Sequence, residues 1–439
     1  MDQIDRTCYS NPLLRQPLIA VSITEELENP LYAGILNTLS NHCVGTVPLP
    51  VAISGRDNLN DAVEDKWMEW AVHNKIGSAL REFRRKAAST GLAVLFPFRQ
   101  ETTHEIKLGF KVYGRNDLTS PSQTATDANI EDGVEFNRNN EVVAVWIKED
   151  GNDEPTRYSS IEDDTTTTPV IVWSRKRIVD RWPECAPAFA IYPSIRRFMD
   201  NITKGEEMRT AIPMFLELDL AAYPADKTYV PDGTFTYEPG MVPTLPPGTK
   251  MAAFNAASVA SDRSQFINLM ASVAARCIDC PMNLALGDSS NHNMSSSMTD
   301  LQPWKYAVDI DRHDFEIVVR LVFNMWYTRA QLVPAYLPIT SFSYPQLPVL
   351  FNYTVLFNHP DPVKCSSSRA QDLVSGASTL TRIYADQGRN ARRELRKEAR
   401  MLGITVQKLY ELILTSRSKV AFQVLNGNQD SSTQVQETA

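Results

Sequence analysis

Long apolar runs are missing from this chain. No window approaches the roughly 18 uninterrupted apolar residues of a membrane-spanning helix. The opening residues MDQIDRTCYSN carry acids and no apolar core, so no secretory signal is expected and the expected compartment is the cytoplasm of the producing cell. Cysteine is sparse: six among 439 residues do not make a disulfide framework. Cys8, Cys43, Cys185 and Cys365 stand alone in sequence, while Cys277 and Cys280 form a CxxC before Pro281. A redox motif needs a strand before it and a helix after it, and a zinc site needs a second ligand pair. Neither pattern is visible, so the pair reads as two small buried thiols, with redox or metal chemistry as the alternative. Positive charge is also short, with 44 Lys and Arg against 52 Asp and Glu and a formal net charge of −8. Duplex affinity comes mainly from cations that displace phosphate counterions, so the balance excludes a conventional DNA-gripping protein. It permits a wall along which DNA slides. GxxxxGK[ST], HExxH, GxSxG and GxGxxG are all absent, and with them any expectation of a cofactor.

What is present is a folded chain, 43% apolar and 22% charged, too long for one ordinary core. Two or more lobes are expected. Leu31, Ile35, Leu36 and Leu39 recur at helical spacing up to His42. A second helix is predicted over 60–73 with Val63, Trp67, Trp70 and Ala71 on one face, and a third over 77–90 with Leu80, Phe83 and Ala87. Arg81, Arg84, Arg85 and Lys86 of the third read as a solvated face or a nucleic-acid patch. Strand patterns follow at Leu92–Phe96, Glu105–Tyr113 and Pro169–Trp173, with a hairpin whose arms are Val134–Phe136 and Val142–Ile147. The block from 25 to 185 is therefore an α+β lobe.

Residues 194–222 read as helical with a kink or break at Pro213. Residues 223–255 hold six prolines and read as a turn-rich unit with short strands near 234–237 and 250–254, too small for a core of its own. An apolar helix over 259–278 follows, then the polar segment SSNHNMSSSM, which lacks anything to pack inward. A long helix over 299–332 buries Phe315, Val318, Val319, Val322, Phe323 and Trp326. Extended structure over 333–363 leads to helices over 367–376, 379–387 and 391–402, the last continuing to about 417. The Asn-, Gln- and Ser-rich end from 426 is expected to be disordered.

The best enzyme-like cluster is Asp309-Ile310-Asp311-Arg312-His313-Asp314-Phe315-Glu316. Its acids and His could coordinate a metal for phosphodiester cleavage. On a helix, however, Asp309 and His313 share a face while Asp311 and Asp314 lie elsewhere, so a solvated or intersubunit-paired face is expected. Neither a catalytic constellation nor a metal site is expected, and the chain does not read as an enzyme. Arg392, Arg396 and Arg400 repeat every four residues and make one positive edge, interleaved with Glu394 and Glu398. That edge reads as surface ion pairing, or as a basic collar near DNA or an acidic neighbour.

In order along the chain, NHCVGT at 41–46, the W-x-x-W of Trp67 and Trp70, DGVEFNRNNEVVAVW at 132–146, EPGMVPTLPPGTK at 238–250, 281–288, DPVK at 361–364 and YADQGR at 384–389 resemble the portal proteins of lambda-like tailed phages. The segment SSNHNMSSSM departs from that family's usual pattern after Gly287-Asp288. The resemblance implies a portal fold, assembled as a ring and usually a dodecamer, with an α+β wing, helical stem, small β-containing clip and helical crown. It implies a wing over 25–193 joined by the return within 299–363, and stem helices over 194–222 and 258–283. The clip would be 223–257, the tunnel loop 284–298, the crown 364–425 and the tail 426–439. The implied role is the DNA channel at one capsid vertex, through which the genome is packaged and ejected, in the virion and, during assembly, the host cytoplasm. Asp288, Ser290, Asn291, His292, Asn293, Met294 and Ser295 would face DNA. Tyr237, Glu238, Pro239, Gly240, Pro246, Pro247 and Lys250 would dock the terminase and then the head–tail adaptors, and Arg392, Arg396 and Arg400 would form a basic crown. The implied partners are other copies of the chain, the major capsid protein, the terminase large subunit, head–tail adaptor proteins and double-stranded DNA held without sequence specificity; no membrane is implied. The alternatives are another virion structural or adaptor protein, and a metal-dependent nuclease built on Asp309–Glu316.

Overall fold

The structure, a computed structural model, describes residues 12–121, 129–139, 141–149, 154–160, 169–175, 183–189, 191–210, 214–218, 249–253, 260–288, 294–338, 347–357 and 361–415. Helix α1 (Pro12–Glu28) leads directly into α2 (Pro30–Val44). Asn29 separates them: its side-chain oxygen accepts from the backbone N–H groups of Leu31 at 3.1 Å and Tyr32 at 3.4 Å, with Pro30 in the first turn. The periodicity at 31–39 predicts α2, but nothing predicts α1. Its inward positions are Ile19, Ser22 and Glu25, two of them polar, so the burial stripe is invisible as a hydrophobic pattern. The polar pair is satisfied in place, Ser22 by the Tyr32 hydroxyl at 2.8 Å and Glu25 by Asn29 at 3.1 Å.

Strand β1 (Leu49–Ala52) precedes α3 (Asp57–His73) and α4 (Ile76–Thr90), the two helices the apolar spacing predicts. Then come β2 (Ala93–Arg99), β3 (Leu108–Gly114), β4 (Asn129–Glu131), β5 (Val134–Phe136), β6 (Val142–Ile147), β7 (Thr156–Ser159) and β8 (Ile171–Trp173). They form two antiparallel sheets, ordered β3-β2-β8 and β4-β5-β6-β7. The expected hairpin is β5–β6, with β4 and β7 added at its edges. Asp132 (φ 49°) and Gly133 (φ 75°) make the tight β4–β5 turn, and the DG pair suits it because both residues must enter the left-handed region. Leu92, Val94, Val134, Val145 and Ile147 bury a small core shared by the two sheets.

Helix α5 (Tyr192–Thr210) is followed by β9 (Met214–Leu218), β10 (Thr249–Ala253), α6 (Ala260–Ala275), the short α7 (Met282–Leu286) and the 39-residue α8 (Met294–Leu332). The helix expected over 194–222 is corrected: it ends at Thr210, and Met214–Leu218 is a strand paired antiparallel with β10. Pro213, where a kink or break is expected, lies between the two elements and outside the described residues. The MFLEL that follows is a short alternating stretch. The polar segment expected as a loop through residue 297 is shortened at its far end, because α8 begins at Met294. Strand β11 (Val349–Asn352) returns to pair with β1, and α9 (Pro362–Ser375), α10 (Leu380–Asp386), α11 (Ala391–Leu402) and α12 (406–415) complete the chain. The strand expected at 234–237 and the tail from 426 lie outside the described residues.

The main core packs α3, α4, β2 and β8 against the C-terminal half of α8, where Phe315, Val318, Val319, Val322, Phe323 and Trp326 are all buried as the spacing predicts. Trp67 sits at its centre, 5.1–5.4 Å centroid to centroid from Trp70, Phe323 and Trp326. A second core joins α2, α6 and α7 to Trp304 and Val308 of α8. Helix α4 reaches the loop after α2 at Gly77, where a Cβ would lie 1.9 Å from the Thr46 carbonyl oxygen. Gly77→Ala is therefore expected to cost about 1–3 kcal/mol in denaturant unfolding through overpacking against backbone. Gly34→Ala, in helix α2 with nothing within 4 Å of the added Cβ, is expected to stabilise by about 0.5–1 kcal/mol.

Candidate functional site

Three regions carry the sequence-predicted functional residues. The first is the turn between α7 and α8. Its base is closed by Asn283, whose amide donates to the Ser297 hydroxyl at 3.1 Å. Asp288 lies exposed beyond this closure. Met294 and Ser295 belong to the first turn of α8, and Ser290, Asn291, His292 and Asn293 lie outside the described residues. Below the turn, Cys280 is buried, and burial pushes its thiol up to about 12. Cys185, alone in sequence, lies against Cys277; that hydrogen bond and burial raise it well above the ordinary thiol range. Thiols held protonated are poor nucleophiles and poor ligands, which favours the structural reading of the CxxC.

The second region is the acidic cluster on α8, where Asp309, His313 and Asp314 are exposed, as a solvated face requires, and Asp311 is the exception. Asp311 is fully buried and receives Arg84 Nε at 2.9 Å and Nη2 at 3.0 Å, across 227 residues of sequence. Arg84 is itself 0% exposed and pairs through Nη1 with Glu184 at 2.8 Å. Burial alone would lower the Arg84 pKa, but the Glu184 and Asp311 carboxylates outweigh it and hold the guanidinium charged. Arg84 is therefore no part of a solvated basic face, although α4 presents Phe83 inward as predicted. Its neighbours are also engaged within the chain: Arg81 with the Gly45 carbonyl at 2.7 Å, Arg85 with Glu26 at 3.1 Å and Lys86 with Asp117 at 3.5 Å.

Arg312 donates to the His42 carbonyl at 2.8 Å, the Cys43 carbonyl at 3.2 Å and the Thr354 carbonyl at 2.9 Å, so a cation closes the C-terminal end of α2. About two turns towards the N-terminus, Trp304 Nε1 donates to His42 Nδ1 at 2.9 Å. Burial and the Arg312 charge lower the His42 pKa, which suits a ring nitrogen used as an acceptor. Asp309, His313 and Glu316 share a face and line a 430 Å³ cavity with Lys305, Arg312 and Arg382. Glu316 is paired with Arg320 at 2.6 Å, and among the described residues no group of three His, Cys, Asp or Glu could hold a metal ion.

The third region is the arginine row of α11. Asn390 caps the helix, accepting from Arg392 N–H at 2.9 Å and Arg393 N–H at 3.3 Å. Arg392 pairs with Asp57 at 3.1 Å, Arg393 with Asp65 at 3.4 Å, and Arg396 with Asp61. The acidic neighbour anticipated for this row is therefore α3 of the same chain. Arg400 lies exposed beyond it, and of the interleaved acids Glu394 pairs with Lys397 at 2.9 Å. The Asn390 amide also donates to Glu64, whose carboxyl burial raises to about 7. Of the docking residues, only Lys250 falls in a described element, opposite Glu217 in the β10–β9 pair. Tyr237, Glu238, Pro239, Gly240, Pro246 and Pro247 lie outside the described residues.

A family profile described as phage portal protein, lambda family, matches residues 25–307, which run from α1 into α8. The chain belongs to the lambda family of phage portal proteins. Its function is that of a portal, a connector protein, and the family is structural rather than enzymatic. None of the curated protein sequences matches this portal chain. Among solved structures, a chain from the virion of a native gene transfer agent particle is 10% identical with a TM-score of 0.47, the match covering 84% of this chain and 93% of that one. A chain from the neck of an empty gene transfer agent particle is 9% identical with a TM-score of 0.43, covering 88% and 94%. Among the described residues no helix is long and apolar enough to cross a membrane.

Two outcomes follow from the geometry. Asp311→Ala should destabilise the portal chain by about 3–5 kcal/mol in denaturant unfolding, because Arg84 stays charged and loses a partner. Asp309→Ala, at a side chain 51% exposed, should stay within about 0.5 kcal/mol of wild type. Glu64 binds a proton more tightly when folded than when unfolded, with its pKa raised from 4.5 to about 7. Its stabilising contribution is therefore complete below about pH 4.5 and is lost as pH rises through about 7. Thermal melts across that window should show the decline, and Glu64→Gln should flatten it.

Proposed function

We propose that this portal chain assembles head to tail into a closed ring of twelve copies around a DNA channel at one capsid vertex. The observation that carries this reading is a pair of exposed apolar stripes, one on α6 and one on α8. On α6 the stripe is Phe266, Leu269 and Val273; on α8 it is Tyr306, Ile310, Ile317 and Leu321, with Leu269 60% and Tyr306 70% exposed. A ring built by rotation needs two different faces on each subunit, and two separate stripes at helical spacing meet that need. The wing is then 25–193 with the return at 335–363, and the stem is the helical part of 194–222 together with 258–283. The clip is 223–257, the tunnel loop 284–298 and the crown 364–425.

In this reading Asp288, Ser290, Asn291, His292, Asn293, Met294 and Ser295 turn a polar, anionic tip towards DNA. The proline-rich clip, including Tyr237, Glu238, Pro239, Gly240, Pro246, Pro247 and Lys250, docks the terminase large subunit during packaging and the head–tail adaptors afterwards. The ring seats against the major capsid protein, and the protein resides in the virion after assembly in the host cytoplasm. Native mass spectrometry with negative-stain class averages should give a ring of about twelve subunits with a central hole. A monomer that persists in the presence of capsid protein would overturn the ring. Deleting Asn291–Ser296 should leave rings intact and impair packaging; normal packaging would remove the tunnel-loop role.

A further inference from the structure

The crown is fastened to the rest of the chain in an unusual way. Its own core is small, with Leu395, Ala399 and Leu409 buried and Leu380, Ile404, Val406 and Ile413 packed around them, and it does not merge with the other three cores. Met401 and Leu402 of α11, and Leu412 and Leu414 of α12, stay exposed. What joins α11 to the wing is charge. Asp57, Asp61, Glu64 and Asp65 fall on one face of α3, and that face meets Arg392, Arg396, Asn390 and Arg393 in turn. Under this seam lies a 280 Å³ cavity lined by Pro50, Glu64, Met68, Asn390 and Arg393, so the contact is not close-packed. Among the described residues a backbone tie joins the Val355 N–H to the Asp386 carbonyl at 2.7 Å.

We propose that the acidic face of α3 is a built-in cover over the arginine row of α11, and that a phosphate polyanion, here duplex DNA, displaces it and frees the crown helices. Solvent-accessible ion pairs are screened by salt and contribute little each, whereas apolar packing is not screened. A seam made of such pairs over a cavity opens when its charges find better partners. Guanidinium groups bind phosphate in two-pronged fashion, and Arg389 and Arg400 extend the row at either end, so DNA offers the freed helix a continuous set of acceptors. The chain's negative balance then acts in both directions: with the cover closed the crown ignores DNA, and with the cover open it presents a local basic edge. The cover stands on the geometry alone, and the choice of DNA as competitor rests on the portal reading.

Hydrogen exchange on the full-length chain tests both halves. At low salt the crown helices should be protected. In about 1 M salt, where the Debye length falls to about 3 Å, exchange in 391–402 should rise about tenfold while Phe315–Trp326 of α8 stays protected. A short DNA duplex added at low salt should give the same local rise. Asp61→Arg should open the crown without either, and Asp61→Arg combined with Arg396→Asp should close it again. The isosteric Asp57→Asn/Asp65→Asn pair should open it partly in a chain whose core is untouched. Crown exchange indifferent to salt, or unaltered in both sets of variants, would overturn the cover. A crown that opens with salt but not with duplex would overturn the competition by DNA. Ring imaging of the same samples reads the portal assignment separately, since a ring can form with the cover open or closed.

Discussion

A guanidinium cannot be neutralised inside a protein, so burying one dictates what must surround it. Arg84 is that constraint here. It brings Asp311 from α8 and Glu184 from the segment after β8 to the same point on α4, and Trp173 lies with its ring 5.4 Å from the guanidinium carbon. Replacing such a pair with apolar residues of matching volume can be neutral, whereas removing one partner strands a charge. The network is therefore better understood as fixing register than as adding stability. It sets where along its length the long helix crosses the α+β lobe.

From that point the rest of α8 is determined. At 39 residues it spans about 58 Å at 1.5 Å per residue. Its C-terminal half lies in the aromatic core around Trp67, and its middle is held by Asp311 to α4 and by Arg312 to the end of α2. Trp304 pins the next stretch to His42, and Ser297 closes the turn through Asn283. The polar tip is thus carried on a rod anchored at four places along its length. A displacement of the tip would have to move the wing core or break a buried bond. In the proposed ring this holds the base of the channel-facing tip in place.

Much of the α+β lobe was legible because its elements obey local rules. The Trp67–Trp70 face, the β5–β6 hairpin and the buried stripe of α8 each follow a helical or alternating period, and each stands where the period puts it. What escaped was polar burial and pairing at long range. Helix α1 turns Ser22 and Glu25 inward, so its pattern was silent. Arg84 reads locally as one more cation on a charged helix face, and its partner is 227 residues away. The strand β9 was hidden behind Pro213, which could be read as a kink as easily as a stop. The arginine row of α11 was legible as a positive edge, but not as a bound one. Yet Asp57, Asp61 and Asp65 repeat every four residues on α3, and that matching row was the available signal. Of the tip and docking residues, Asp288, Met294, Ser295 and Lys250 lie among the described residues, and the proposed roles come from the family resemblance.

In the proposed channel the same pairing would let a protein of net charge −8 line a path for DNA. Its conspicuous cations are engaged by its own acids or carbonyls. Arg84, Arg85 and Lys86 are taken on α4, Arg157 by Glu135 on the sheet, Arg196 by Glu25 and Glu28, and three arginines of α11 by α3. A conduit that left such groups open would collect counterion-release energy at every phosphate and brake the strand it has to pass. Internal neutralisation avoids that without removing the arginines. It keeps them within reach of an event strong enough to compete for them, which separates steady sliding from a conditional grip. The distinction lies in burial: the pairs around Arg84 are shut off from solvent, whereas Arg392–Asp57 and Arg393–Asp65 are exposed and open to screening or, in the proposed release, to replacement.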